Sequence, residues 1–129
     1  MRLKDKVAIV TGAASGFGRG IAEMFAAEGA KVVIADLNVD GARAVAAALP
    51  SGAAIATRTD VTDGKDVAEM VRAAVEAFGG LDILVNNAGV THKNQSLMTV
   101  SEEDFDRIYA VNVKSIYLMA QATIPHMRQ

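Results

Sequence analysis

The sequence predicts an α/β fold: a parallel sheet covered on both faces by helices. Three observations predict it. Short apolar runs recur at residues 7–10, 32–35, 53–57 and 81–85 without alternating with polar residues. Such runs suit strands buried on both faces. The stretches between them carry helical periodicity, and the two kinds of segment alternate along the chain. That alternation, with right-handed crossovers, produces a parallel sheet.

The elements follow in order. Val7-Ala8-Ile9-Val10 is the first strand, closed by Gly12. A helix runs from Gly16 to about Glu28, with Ile21, Met24 and Phe25 inward and Gly29 as its stop. The second strand, 32–35, is closed by Asp36, and a helix over 40–49 ends before Pro50. The third strand, 53–57, is the weakest. The clearest helix follows, with Val67, Met70, Val71, Ala74, Val75 and Phe78 on one face. Thr62 or Asp63 caps it, and Gly79-Gly80 ends it. The fourth strand, 81–85, leads to a polar loop, 91–96. Ser101-Glu102-Glu103-Asp104 then starts a helix with Phe105, Ile108 and Val111 inward. A last helix runs from about Val113 to Gln129. Apart from Met1, the methionines mostly read as core, and Tyr109 and Tyr117 as packing residues of the last two helices. Ile116, Tyr117 and Met119 read as their outward side.

Composition excludes several classes of function. At 51% hydrophobic and 22% charged residues, the 129-residue chain is globular and not disordered. Thirteen Lys and Arg against fifteen Asp and Glu leave a net charge of -2, without the basic excess that attracts nucleic acid or an anionic membrane. Cysteine is absent, which removes disulfides, thiolate metal sites and cysteine nucleophiles. His92 and His126 stand alone, so no metal site is expected. No run approaches the roughly 20 apolar residues of a membrane span, and Thr11-Gly12 interrupts the first apolar run too early for a signal peptide. A cytoplasmic protein is the default expectation.

The motifs lie at the ends of the strands. Thr11-Gly12-Ala13-Ala14-Ser15-Gly16-Phe17-Gly18 joins the first strand to the first helix. Glycines there allow a tight turn and close approach of a phosphate, and the helix behind offers unpaired N–H groups. The competing reading is an ordinary glycine-rich turn. Asp36 can accept two hydrogen bonds from a ribose diol and would repel a 2′-phosphate. Ser15 and the residues after Asp36, Leu37-Asn38, are not basic, which also favours NAD over NADP. Otherwise Asp36 is a strand-end carboxylate or a helix cap. Asp60 can accept from an adenine amino group while Val61 packs on the ring, or Asp60 can cap the helix that starts near Gly64.

Asn86-Asn87-Ala88-Gly89 follows the fourth strand directly. Together with residues 11–18, Asp36 and Asp60-Val61, it makes the chain resemble the short-chain dehydrogenase/reductase family, in an ordered match from Lys6 to about Met127. Within that family it most resembles bacterial 3-oxoacyl-reductase-like and sugar-dehydrogenase-like members. The resemblance implies a Rossmann-like, doubly wound sheet with strand order 3-2-1-4 and a ligand at its switch point. It implies that Gly12, Ser15, Gly16, Phe17 and Gly18 hold a pyrophosphate, and that Asp36, with Leu37 beside it, binds the ribose. It places Asp60 and Val61 at the adenine, and Asn87, Ala88 and Gly89 along the cofactor, with Asn86 helping to tie the central strands. It also implies that Asn112 interrupts helical bonding and organises a proton-relay water; without it, Asn112 reads as a buried polar residue between two helices. NAD is the implied cofactor, an alcohol or carbonyl compound the substrate, and a homo-oligomer packed through the last helices the assembly.

The family's serine and Tyr-x-x-x-Lys have no counterpart. Tyr109 is followed four residues on by Val113, and Tyr117 by Gln121, while Lys114 is five from Tyr109. No glycine caps the last helix, and Leu81, Ile83, Leu84 and Val85 would form a bare apolar sheet edge. The expectation is therefore the cofactor-binding portion, residues 1–129, of a single-domain dehydrogenase, cut before a fifth strand and inactive alone. The alternatives are a self-contained nucleotide-binding module, or a methyltransferase, against which Thr11-Gly12 and residues 86–89 argue. The loop 91–96, with His92, either contacts substrate or is simply solvated.

Overall fold

A computed structural model describes residues 1–128 of the chain. Four strands, β1 (Val7–Thr11), β2 (Lys31–Asp36), β3 (Ala54–Arg58) and β4 (Ile83–Val85), pair in parallel in the order β3-β2-β1-β4. Helices α1 (Gly16–Ala27), α2 (Val39–Ala48) and α3 (Gly64–Phe78) make the crossovers. A 3-10 turn, Leu97–Thr99, precedes α4 (Glu102–Tyr109), which passes through a π-turn, Ala110–Lys114, into α5 (Ser115–Met127). This is the fold class and strand order expected.

Side chains alternate across the sheet and so build two cores. Ile9 and Val33 face α3 and α5, where Val67, Met70, Val71, Ala74 and Met119 pack. Val10, Val32 and Ile34 face α1 and α2, which present Ala22, Ala26, Ala42 and Val45. β1 is buried along its whole length. Small residues on α1 bring that helix close to the sheet beside the turn that follows β1.

Several sequence expectations are corrected. Met24 on α1 is 63% exposed, because Gly18, Ala22 and Ala26 form the buried stripe. Of the methionines, Met70 and Met119 are core, whereas Met24 and Met98 are exposed. Met119 does not belong to an outward face, although Ile116 and Tyr117 do. Phe105 and Tyr109 are not inward: they are 59% and 54% exposed and stack on each other, one turn apart on α4. No residue of α4 is buried, since its neighbour is the π-turn and not the sheet. Ile108 and Val111 are half-buried. The last helix, expected from about Val113, starts at Ser115, and the chain runs into it from α4 through the π-turn without a break. Gln129, expected in the last helix, lies outside the described residues.

Candidate functional site

The order of the strands reverses between β1 and β4, and a cleft of about 400 Å³ opens there beyond their carboxyl ends. Gly12, Ser15 and Phe17 form one side, with Asp36, Leu37, Asp60 and Val61 at one end and Asn87, Ala88 and Gly89 opposite. Thr59, Val90 and Val111 complete it. These three carry no motif signal. Val111 in particular comes from a helical turn far along the chain.

The glycine loop is shaped by backbone requirements. Gly12 and Gly16 have φ of 64° and 58°, where a side chain is strained. Gly18 lies beneath the loop: a Cβ there would stand 2.4 Å from the Gly12 carbonyl oxygen and 2.5 Å from Asn87 Nδ2. The start of α1 differs from the starts of α2, α3 and α4. Those are capped by the side chains of Asn38, Asp63 and Ser101. Ser15 makes no capping bond, and the first turn of α1 holds no acidic residue. Its N–H groups and positive dipole end therefore suit an anion. Phe17, 89% exposed, stands at the rim.

Asp36 is fixed by two amides. Its Oδ2 accepts from Ala14 N at 3.0 Å and its Oδ1 from Asn38 N at 2.9 Å. Each oxygen keeps a further lone pair, so the carboxylate can still receive both hydroxyls of a diol. At the next corner Asp63, not Asp60, caps α3. Asp60 Oδ1 accepts from Thr62 N and Thr62 Oγ1, at 2.9 and 2.6 Å. Val61 is buried beside it and forms part of the wall.

The opposite wall is tied to β1 through Asn87 and Thr11, not through Asn86. Thr11 Oγ1 accepts from Asn87 N and Ala88 N, both at 3.0 Å, and donates to the Val85 carbonyl at 3.3 Å. Asn87 Nδ2 donates to the carbonyls of Thr11 and Gly12 at 3.0 and 3.2 Å. Thr11 was legible only as the first letter of the loop motif. Its position as the last residue of a buried strand was the available signal. Asn112 stands apart from the cleft lining. Its Oδ1 accepts from Val90 N and its Nδ2 donates to the Val90 carbonyl, both at 2.8 Å, from within the π-turn. Asn112 is exposed on that turn and not buried between helices. No group of metal-ligating side chains occurs among the described residues.

The short-chain dehydrogenase family model matches residues 6–129. The chain belongs to the short-chain dehydrogenase family. It is similar to the 4-formylbenzenesulfonate dehydrogenase of Comamonas testosteroni, at 47% identity over 100% of this chain and 52% of that protein. It is similar to the galactitol 2-dehydrogenase of Agrobacterium fabrum, at 46% identity over 95% of this chain and 47% of that one. A crystal structure of a 3-ketoacyl-(acyl-carrier-protein) reductase from Brucella melitensis, complexed with NADH, superimposes with a TM-score of 0.93 at 51% identity, over 96% of this chain and 51% of that one. The chain thus spans about half the length of the relatives it matches.

Proposed function

We propose that these residues are the cofactor-binding portion of an NAD-dependent oxidoreductase that interconverts an alcohol and a carbonyl compound. The observation that carries the choice of cofactor is Asp36: an anchored carboxylate at one end of the cleft, flanked by Leu37 and Asn38, with uncharged Ser15 on the loop. A ribose diol fits such a group, and a 2′-phosphate would meet a like charge. The uncapped start of α1 and the space kept open at Gly12 and Gly18 suit the pyrophosphate, with Ser15, Gly16 and Phe17 around it. Leu37 and Val61 give the adenosine half apolar contact, and Asp60 offers it an acceptor. Asn87, Ala88 and Gly89 lie along the other half.

When bound, the nicotinamide supplies or takes the hydride. The protein's part is binding, orientation and proton transfer. Asn112 serves the proton relay by fixing Val90 and the adjoining turn. Neither tyrosine has a lysine four residues on, so these 129 residues alone bind cofactor without turnover. The relatives named for an aldehyde and for a polyol support an alcohol/carbonyl substrate. No helix of the described residues is long and apolar enough to cross a membrane, in keeping with a cytoplasmic setting. The exposed Phe105, Tyr109, Val113, Ile116 and Tyr117 are in keeping with a homo-oligomer. A self-contained nucleotide-binding module finds no support, since the relatives named above are all redox enzymes.

Titration of the chain with NADH and NADPH, followed by cofactor fluorescence, tests the reading. NADH is expected to bind at least about tenfold more tightly, a difference of about 1.4 kcal/mol. Equal or tighter binding of NADPH would overturn the cofactor choice, and no binding of either would overturn the cofactor-binding role.

A further inference from the structure

We propose that Asp66, on the first turn of α3, is a positioning residue that aims Asp60 at the adenine. The inference rests on the reading of the cleft as a dinucleotide site and adds a residue that does not line it. Asp66 Oδ2 accepts from Asp60 N at 2.9 Å and from Arg58 Nη1 at 3.1 Å. One carboxylate oxygen therefore joins the end of β3, the corner at residue 60 and the start of α3. The remaining groups of Asp60 are also engaged. Its carbonyl accepts from Asp63 N at 3.1 Å, and its Oδ1 takes both donors of Thr62. Among the described residues no hydrogen bond reaches Asp60 Oδ2, the one acceptor left over in a carboxylate that lines the cleft. Thr59, immediately before it, is buried and donates its N–H to the Asp36 carbonyl at 3.0 Å. The corner is thereby set against the end of β2.

A hydrogen bond discriminates between ligands only when the acceptor cannot turn away from the wrong one. Three of the four polar groups of Asp60 are held within residues 60–66, so the direction of Oδ2 is fixed by the turn and by Asp66. Its complement is a donor on the edge of the base, the exocyclic amine of adenine. Asp66 acts on the ligand through Asp60, because it does not line the cleft and its Oδ2 is held by Arg58 and the Asp60 amide.

A purely structural role, in which Asp66 only supports the start of α3, would weaken all dinucleotides alike. The test compares NADH with reduced nicotinamide hypoxanthine dinucleotide, in which a carbonyl replaces that amine. Both are titrated against the full chain and its Asp66→Ala and Asp66→Asn variants, with folding checked by circular dichroism. The parent chain is expected to prefer NADH by about tenfold, as for a hydrogen bond to a charged group. Asp66→Ala is expected to reduce that ratio to within about twofold of unity, and Asp66→Asn, which keeps an acceptor for the Asp60 amide, to retain most of it. If Asp66→Ala does not fold, Asp66→Glu replaces it, which keeps the charge at the start of α3 but moves the acceptor by a methylene: a ratio below the parent's supports the proposal, and an unchanged ratio overturns it. Equal weakening of both ligands overturns it, as does a parent that binds both equally. A parent that binds neither overturns the dinucleotide reading itself.

Discussion

Gly18→Ala and Gly20→Ala, two residues apart on α1, are expected to change stability in opposite directions. A methyl group at Gly18 would sit 2.4 Å from the Gly12 carbonyl oxygen, where real Cβ contacts stay at 3.0 Å or beyond. The loop would have to retreat by about half an ångström, and it has little room. Gly12 is at φ 64°, its own Cβ position lies 3.0 Å from the Ala88 Cα, and its carbonyl holds Asn87 Nδ2. Overpacking of this kind costs about 1–3 kcal/mol, and loss of the Asn87 bond adds about 1 kcal/mol. The helical gain of alanine over glycine, at most about 1 kcal/mol, offsets part of this. The net loss is about 1–4 kcal/mol, or roughly 4–16 °C in Tm for a chain of this size. At Gly20 nothing lies within 4 Å, so the same substitution keeps only the helical gain of up to about 1 kcal/mol. Thermal denaturation of both variants, with NADH titration of each, is the assay. Gly18→Ala is also expected to weaken NADH by more than about tenfold. A Gly18→Ala protein that melts at or above the parent and binds NADH normally would refute the reasoning about the loop.

Thr11→Val keeps the shape of the side chain but strands the amide of Ala88 and leaves the Asn87 amide with the Val85 carbonyl alone. It should cost about 1–3 kcal/mol in urea denaturation, with Thr11→Ser close to the parent. Met119→Ala removes a fully buried side chain between α5 and the sheet and should cost about 2–5 kcal/mol, while Met98→Ala, on the exposed turn, should change stability by less than about 0.5 kcal/mol. The Glu28 carboxyl accepts from Arg2 N at 2.8 Å, a bond that holds its pKa below the ordinary 4.5. A depressed carboxylate contributes stability that is present above the ordinary pKa and lost as pH falls through the lowered one. Glu28→Gln should therefore flatten the acid limb of a Tm-against-pH curve below about pH 4.5 and leave its shape at neutral pH unchanged.

The sheet and the glycine loop were legible because the physics that builds them is local. A buried parallel strand needs an uninterrupted apolar run, and a tight strand-to-helix turn needs glycine, so Val7–Thr11 and the glycines behind it identify themselves. The choice between Thr62 and Asp63 as the cap of α3, and between cap and free acceptor for Asp60, required geometry. Two neighbouring carboxylates within four residues are interchangeable on paper, and the turn alone assigns them. The inward stripe of α4 was misread for a different reason. Periodicity reports that a helix has an apolar side, not which surface covers it, and here Phe105 and Tyr109 cover each other. Val111 and Thr59 reach the cleft through long-range packing, which leaves no trace in local sequence.

The two ends of the cleft are held by different means, and this separates what each can control. At the loop, Gly18, Gly12, Asn87 and Thr11 form one packed knot joining β1, α1 and the segment after β4. A change that breaks its packing or its hydrogen bonds moves backbone where the pyrophosphate is proposed to bind, so both halves of a dinucleotide should lose together, along with stability. At residues 58–66 the frame is a chain of hydrogen bonds at the edge strand β3, carried by Arg58, Asp66, Asp60 and Thr62. Arg58 is an exposed partner, and exposed ion pairs contribute little to stability. This end can thus change its preference among bases with little effect on the core. Arg58→Ala, which leaves the Asp66–Asp60 bond in place, should accordingly shift Tm by less than about 1 kcal/mol's worth, roughly 4 °C. It should leave the affinity for the nicotinamide half as it is. A large fall in Tm would show that β3 and α3 depend on the pair and that the adenine corner is no more adjustable than the loop.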